Sequence, residues 1–380
     1  MAIKKIIAAV IVAAGIIGGL VAAAHKPLWN DEFYSLMSST MGTSYGKAFQ
    51  GKINEGNNSP LFYGLQKLQC DLFRYKPSQA WTNGQWNRDD SWSQVFLRIQ
   101  PVIYTSIALG VLFYYFAAKY SLLAGLYGLL VALSSLVLWD HCFEARPYAL
   151  WFLLSILQML VILDMFKEAV ISPKRWRQLA VIQLLLSLTT TVAIVQICAS
   201  SFVLWSFGQR KLKPYFWTAL LPAVICVFYY NHAPKYDFFF VDGPMALINA
   251  NIPKDRLVIF LAFAVMMLSV VCKDTKKINS PEVKFFVFSL GMMGCFMMVL
   301  LKLKLGERSD GQGFQVSNRY FASLMPMGVI GTTIYSIYLV QISRFRAWKV
   351  LVICLLGLLL VFRAHRTMLL APRINLELKR

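Results

Sequence analysis

The stretch LLAGLYGLLVALSSLVLW, residues 122–139, contains no charged side chain and is almost long enough to cross a membrane as one helix. A transmembrane helix needs about 20 predominantly apolar residues, whereas a strand of a transmembrane barrel needs about ten residues of alternating polarity. Similar apolar runs recur along the 380-residue chain, which is 58% hydrophobic and only 15% charged. The pattern therefore predicts an all-α, polytopic bundle of transmembrane helices and disfavours a barrel.

The charge of the chain is strongly basic, with a formal net charge of +20 and a sequence pI near 9.7. The Lys and Arg residues lie in short clusters between apolar runs, which is how membrane topology is encoded, so we expect no nucleic-acid partner. Membrane lipids, through anionic headgroups or phosphates, are the expected partners of these cations. None of the 7 cysteines forms a CxxC or Cys/His metal pattern, and we interpret them as packing residues.

The N-terminus places Lys4 and Lys5 before a continuous apolar run, residues 6–24. The segment Ala22-Ala23-Ala24 resembles a signal-peptide cleavage site, but the apolar run is longer than the usual core of about 7–15 residues. We therefore expect residues 1–24 to form an uncleaved first transmembrane helix with its lysines inside.

After this helix, residues 25–94 are predicted to form a long outer loop with amphipathic interfacial helices at 33–49 and 60–73. Residues 95–362 then form the multi-span domain, and residues 363–380 form a basic C-terminal tail. The total is about eleven spans. An odd count leaves the basic tail outside, so either the count is off by one or the tail is an interfacial helix. The spans after the first are expected at 95–118, 121–139, 147–166, two short crossings within 178–207 that turn near 189–191, 214–230, 257–272, 284–301, 319–340 and 348–362.

Polar residues that are unusual at membrane level gather at the outer end of this predicted bundle. Ionisable groups at that level are costly and mark functional sites by default. Each one also has a structural interpretation: an arginine can anchor to headgroups, and Asn30 or Asp31 can cap the helix that follows. The residues are Asp31, Glu32, Asn57, Asn58, Asp140, His141, Glu144, Arg146, Asn318, Arg319 and Tyr320.

The combination of motifs resembles a known family. The segments PLWNDEFYS, NNSPLFYGLQKL, VFLRIQPVIYTSIALGVLFYYFAAKY, WDHCFEARPYALWFLLSIL and SNRYFASLMP occur in the order and rough spacing of the GT-C membrane glycosyltransferases. They are most similar to the branch that contains the dolichyl-phosphate-mannose protein mannosyltransferases and the lipid A aminoarabinose transferase. The chain resembles a bacterial member of this branch. Asn58 and Ser59 stand where that branch often has His-Pro, so a role of that histidine does not transfer.

The resemblance implies an inverting glycosyltransferase that moves a sugar from a polyprenyl-phosphate donor to a hydroxyl acceptor on an envelope glycan, lipid or protein. A carboxylate suits the role of general base, and arginines suit phosphate oxygens. It implies catalytic roles for Asp31, as base, and Glu32, as its supporting neighbour. Donor-phosphate contacts are expected from Arg146, Arg319 and Arg98, and substrate contacts from Trp29, Asn58, Glu144, Tyr148 and Tyr320.

No cofactor is required for this chemistry, because the lipid phosphate is already a good leaving group. Carboxylates and His141 offer metal-ligand atoms, but their spacing is not a recognised metal signature, so no metal site is expected. The site is predicted to face the periplasm or exterior of the inner (plasma) membrane. The principal alternative is a transporter or flippase for a lipid-linked or anionic substrate, which would show repeats and broken helices. A scaffold subunit and a glycan polymerase or ligase are further alternatives.

Overall fold

The computed structural model of the chain is helical almost throughout, as the sequence predicts. The described strands are β1 (Trp81–Thr82) and β2 (Gln85–Trp86), which pair antiparallel as one short hairpin. The all-α class is therefore confirmed. The structure describes residues 2–55, 59–76, 81–82, 85–86, 91–207, 211–233, 280–302, 324–342 and 346–377.

The described long helices follow the predicted apolar runs, and three short helices lie in the predicted outer segment. One turn of π-helix, Phe216–Leu220, lies inside α11, and a second π-helical segment, Ser35–Met41, continues α2. The α-helices are α1 (Ala2–His25), α2 (Asn30–Tyr34), α3 (Tyr45–Phe49), α4 (Leu61–Leu72), α5 (Ser91–Lys119), α6 (Leu122–Leu133), α7 (Leu136–His141), α8 (Tyr148–Lys167), α9 (Pro173–Thr189), α10 (Ala193–Ser206), α11 (Leu212–His232), α12 (Pro281–Lys302), α13 (Leu324–Ile342) and α14 (Arg346–Glu377).

Six of the described helices are long and apolar enough to cross a membrane, which supports the predicted transmembrane character of the chain. They are α1, α5, α8, α11, α13 and α14, and α6 and α10 are shorter apolar helices. The helical break between α9 and α10 falls at Thr190–Val192, where the sequence predicts a turn. The predicted span at 257–272 lies outside the described residues.

Two segments differ from the sequence prediction. The run at 121–139 is not one helix, because α6 ends at Leu133 and α7 begins at Leu136. The Ser134 hydroxyl donates to the backbone carbonyl of Val131, and Ser135 adopts an extended backbone, so this serine pair ends one helix and starts the next. The predicted tail after residue 362 continues the last helix, which runs to Glu377.

Helices α1 and α5 pack antiparallel along their whole length. The Lys4 ammonium donates to the carbonyl of Ala117 (2.6 Å) at one end, and the Arg98 guanidinium donates to the carbonyl of Ala23 (3.2 Å) at the other. Between these points Gly19 lies against Val102, so the two backbones approach closely. Helix α8 is almost entirely buried beside α5, and it forms the centre of the bundle.

The two ends of the bundle carry separate groups of ion pairs. At the end that we call the lysine end, Asp164 pairs with Arg175 (2.6 Å) and Lys119 (3.7 Å). The opposite end, which we call the carboxylate end, carries the acidic groups of the predicted site. These are Asp31, Glu32, Asp140 and Glu144, and Glu55, which the sequence did not predict, lies beside them.

A layer of short helices covers the carboxylate end and docks on the beginning of α5. The Gln69 amide donates to the carbonyl of Phe96 (2.5 Å), and the Gln100 amide donates to the carbonyl of Leu65 (2.9 Å). The Ser59 hydroxyl donates to the carbonyl of Ser187 (3.1 Å) at the end of α9. These bonds satisfy buried polar groups and fix the layer against the bundle.

Candidate functional site

The candidate site is assembled from three segments at the carboxylate end: α2, the loop before α4, and the connection between α7 and α8. Its most enclosed element is an ion pair between Glu32 and Arg98, whose side chains are both 0% exposed. The Arg98 guanidinium contacts both carboxylate oxygens, at 2.8 Å from Nε to Oε1 and 2.5 Å from Nη2 to Oε2. This two-point geometry suits the planar fork of arginine.

The remaining hydrogen-bonding capacity of this pair joins α2, the α7–α8 connection and the end of α1. The Glu32 carboxylate accepts the backbone N–H of Ala145 (2.7 Å) and that of Trp29 (3.2 Å), so it links α2 to the loop after α7. The Arg98 guanidinium also donates to the carbonyls of Lys26 and Pro27 at the end of the first helix. A carboxylate three residues into a helix that accepts the preceding backbone amide is a recurrent N-terminal arrangement.

Asp31, the neighbour of Glu32, points into a different environment. Its side chain is 33% exposed, and its carboxylate pairs with Nη1 of Arg146 at 3.0 Å. The two adjacent acids are therefore not equivalent, as the sequence predicts. One is enclosed by protein groups, and the other is open to solvent beside an arginine.

Arg146 lies between two carboxylates, Asp31 and Glu55. Its Nη2 is 3.5 Å from Oε2 of Glu55, and Nη1 also donates to the backbone carbonyl of Asp31 (3.3 Å). Burial opposes the charge of Arg146, but Tyr148 and Glu55 raise its pKa above the ordinary value, so the guanidinium remains protonated. Its Nε is buried and has no hydrogen-bond partner among the described residues.

Glu55 is a site residue that the sequence did not predict. The structure places its carboxylate against Arg146 and the hydroxyl of Ser35, and its side chain is only 7% exposed. Burial, followed by the charge of Glu55, raises the pKa of the neighbouring Tyr63 phenol well above its ordinary value. Its position in the sequence could have identified Glu55 as a site residue, because it is an acid in an acid-poor chain and lies just before the NNSP motif.

His141 and Glu144 form a second pair in the α7–α8 connection, with 3.4 Å between Nδ1 and Oε1. Burial raises the pKa of Glu144, but His141, Lys26 and Arg146 outweigh it, and the net shift is downward. Asp140 behaves in the opposite way, because burial raises its pKa to about 6 despite His141 and Lys26. The end of α7 therefore carries a carboxylate with a raised pKa of about 6, and the connection after it carries one whose pKa is lowered.

The structure brings most of the predicted residues together. Tyr148 begins α8 and places its ring 5.7 Å from the Arg146 guanidinium, within cation–π range. Trp29 is held beside Glu32 through its backbone amide. Three predicted residues, Asn58, Arg319 and Tyr320, lie outside the described residues.

The described part of the site offers a solvent-accessible carboxylate beside a buried, charged arginine. In the described ranges, three or more His, Cys, Asp or Glu side chains nowhere come together in a way that could hold a metal ion. Function therefore has to be argued from the geometry of the acids and arginines. The chain matches no protein-family model, no curated protein and no solved structure.

Proposed function

We propose that this protein is an inverting glycosyltransferase of the GT-C type, which moves a sugar from a polyprenyl-phosphate donor to a hydroxyl acceptor. The observation that carries the proposal is the pairing of the accessible Asp31 carboxylate with the buried Arg146 guanidinium, at 3.0 Å. Such a reaction needs a base and a phosphate-binding cation in one site, where they act on opposite faces of the attacked carbon, because the acceptor oxygen enters in line with the departing phosphate.

In the proposed reaction, Asp31 accepts the proton of the acceptor hydroxyl as its oxygen attacks the anomeric carbon. The bond from that carbon to the donor phosphate breaks, and its electron pair leaves with the lipid phosphate. One displacement inverts the anomeric configuration. General-base assistance of this kind contributes a factor of roughly 10²–10⁴ in rate.

Arg146 is proposed to stabilise the negative charge of the departing phosphate. Its Nε has no partner among the described residues, while its two terminal nitrogens are held by Asp31 and Glu55. A preorganised guanidinium needs little rearrangement when charge develops, which is the condition for effective electrostatic catalysis. As the family resemblance implies, Arg319 is proposed to contact the donor phosphate. Tyr320 and Asn58 are proposed to contact the substrate.

Glu32 and Arg98 are proposed to position the site rather than contact the substrate. Both side chains are enclosed, and Arg98 directs its donors at Glu32 and at three backbone carbonyls. This geometry does not favour the donor-phosphate contact expected of Arg98, because its donors instead anchor the start of α5 to the end of α1. Glu32 then positions Asp31 by fixing the first turn of α2.

The proposed setting is the plasma membrane, with the carboxylate end facing the periplasm or exterior. The lysine end contains Lys4, Lys119 and Lys167, and clusters of cations favour the cytoplasmic side. Helices α6 with α7, α9, α10 and α12 are proposed to cross in addition to the six long apolar helices. With the predicted crossing at 257–272, this gives about eleven spans.

The decisive experiment replaces Asp31 with Asn, which keeps the size of the side chain and removes its basicity. Purified protein is incubated with radiolabelled polyprenyl-phosphate sugars, and release of polyprenyl phosphate is measured. We expect a loss of roughly 10²–10⁴ in rate, with an unchanged melting temperature. Asp71→Asn is the matched control, because Asp71 is an exposed acid of α4 paired with Lys67. Full activity of the Asp31→Asn variant would refute the assignment, and lipid movement without release would favour a flippase.

A further inference from the structure

A groove runs along the outside of the bundle between α10 and α11. Its volume is about 720 Å³, which lies within the range of known ligand pockets. Almost all of its walls are apolar, and one lysine lies on its lining. The lining residues are Ile197, Cys198, Ser201, Leu212, Lys213, Tyr215, Phe216, Ala219, Leu220 and Ala223.

The groove lies in the half of the bundle nearer the lysine end. Helix α11 begins at Leu212, and at its far end Tyr229 donates to the carbonyl of Phe49 in the layer that covers the carboxylate end. From Lys213 to Ala223 the helix rises about 15 Å, at roughly 1.5 Å per residue. This is about half of the 30 Å hydrocarbon core, or the depth of one leaflet.

The surroundings of the groove identify its environment. The neighbouring side chains Phe202, Leu212 and Leu220 are exposed by 59%, 78% and 55%, which in a transmembrane bundle is a lipid-facing surface. Lys213 is exposed at the end of the groove, and it forms no ion pair with any residue that the structure describes. The groove therefore combines an apolar trough with one exposed lysine that has no ion pair within the described ranges.

We propose that this groove binds one acyl chain of an anionic phospholipid in the leaflet at the lysine end, with the lipid phosphate on Lys213. The length of the trough fits a chain that occupies one leaflet. The charge at its end favours an anionic headgroup over a zwitterionic one, because a cation near the membrane surface attracts anionic lipid. The inference requires the membrane location of the chain and is independent of glycosyl transfer.

The test measures lipid retained by the full-length protein. The purified protein is reconstituted into nanodiscs of phosphatidylglycerol or of phosphatidylcholine. After release of the protein from the nanodiscs, native mass spectrometry counts the lipids that stay bound to it. We expect one retained phosphatidylglycerol per protein, about fivefold less in Lys213→Ala, and a greater loss in Lys213→Glu. Ala223→Trp, which fills the trough, should displace the lipid. Lys174→Ala is the matched control, because Lys174 is an exposed lysine at the start of α9 that does not line the groove.

Each other outcome would overturn the proposal. Equal retention in the wild type, Lys213→Ala and Ala223→Trp would place the lipid elsewhere. Equal retention of the two lipid classes would remove the role of the charge. If the wild type retains no lipid and Ala223→Trp lowers the melting temperature, another part of this chain fills the groove. Because Lys213 is exposed, its variants are expected to fold and keep the test decisive.

Discussion

Glu32 and Arg98, which are 66 residues apart in sequence, form a fully buried two-point ion pair that holds the end of α1, the start of α2 and the α7–α8 connection together. The N-cap residue of α2 is Trp29 and not the predicted Asn30 or Asp31, and the Glu32 carboxylate accepts the Trp29 amide. Asp31 is left with an exposed carboxylate beside Arg146. The two adjacent acids therefore differ in burial and in the arginine that each contacts.

Replacing Glu32 with Ala is expected to destabilise the protein by about 3–5 kcal/mol, because Arg98 would remain buried without a counter-charge. Arg98→Lys should also destabilise it, since an ammonium cannot reproduce the two-point contact. Unfolding in detergent, followed by tryptophan fluorescence, measures both effects. Asp71→Ala provides the control, because it removes an exposed pair with Lys67 and should cost less than about 1 kcal/mol. A Glu32→Ala variant as stable as this control would show that the buried pair is dispensable.

Replacing Glu55 with Gln is expected to weaken donor binding while leaving the chemical step largely intact. The change removes one of the two charges that hold Arg146, yet it keeps a side chain that accepts the Ser35 hydroxyl. We expect the KM for the lipid-linked donor to rise by roughly tenfold, with kcat changed less, as for a lost binding contact.

The control for Glu55 is Glu168→Gln, which removes a carboxylate paired with Arg175 at the lysine end. It should leave both constants unchanged. A Glu55 variant with normal KM and low kcat would instead indicate direct participation of Glu55 in the reaction, and normal values of both would remove it from the site.

Asp140 is expected to make stability depend on pH. Its pKa is about 6 in the folded protein, against an ordinary value of 3.8, so between these values the folded state holds a proton that the unfolded state has lost. Stability from this group therefore decreases as pH rises from about 4 to about 6 and stays reduced above that window. Asp140→Asn, which is always neutral, should be more stable than the wild type at pH 7.5 and similar to it at pH 4.

Melting temperatures of the wild type and Asp140→Asn across this range check the prediction. The lowered pKa of Glu144 acts in the opposite direction and is shared by both proteins, so the difference between them isolates Asp140. A difference that is constant with pH, or that grows toward low pH, would contradict the burial of an ionisable Asp140.

The features that hydropathy encodes could be predicted from the sequence. Apolar runs located α1, α5 and α8, and weakly polar threonines marked the turn between α9 and α10. The proximity of Asp31 and Arg146 was also predicted. Asp31 follows α1 and Arg146 precedes α8, and both positions fall on the same side of the membrane in the predicted topology. These are local properties, since a run of apolar residues specifies a helix without reference to its neighbours.

The pairing of side chains across the bundle could not be predicted in the same way. The contact of Glu32 with Arg98 and that of Glu55 with Arg146 depend on the register between helices, which periodicity does not encode. The break at Ser134 and Ser135 was missed because serine is tolerated inside transmembrane helices when its hydroxyl bonds a backbone carbonyl. Only the packed bundle shows that α7 is a separate helix.

The close packing of α1 on α5 gives a final prediction, in which two adjacent glycines are expected to respond differently. A methyl group on Gly19 would lie 2.7 Å from Cγ1 of Val102 and 3.1 Å from the ring of Phe143, whereas a methyl group on Gly18 would meet no atom within 4 Å. Gly19→Ala should therefore cost about 1–3 kcal/mol through overpacking. Gly18→Ala should be neutral or slightly stabilising, because alanine is the better helix former.

Unfolding of the two variants in the same detergent measures the difference. Both substitutions add one methyl group to the same turn of α1, so membrane insertion and helix propensity are matched between them. Equal stabilities would show that α1 does not pack closely on α5, and the anchoring of Arg98 to the end of α1 would then lose its structural basis. A selective loss in Gly19→Ala supports the arrangement that places the Glu32–Arg98 pair beneath Asp31.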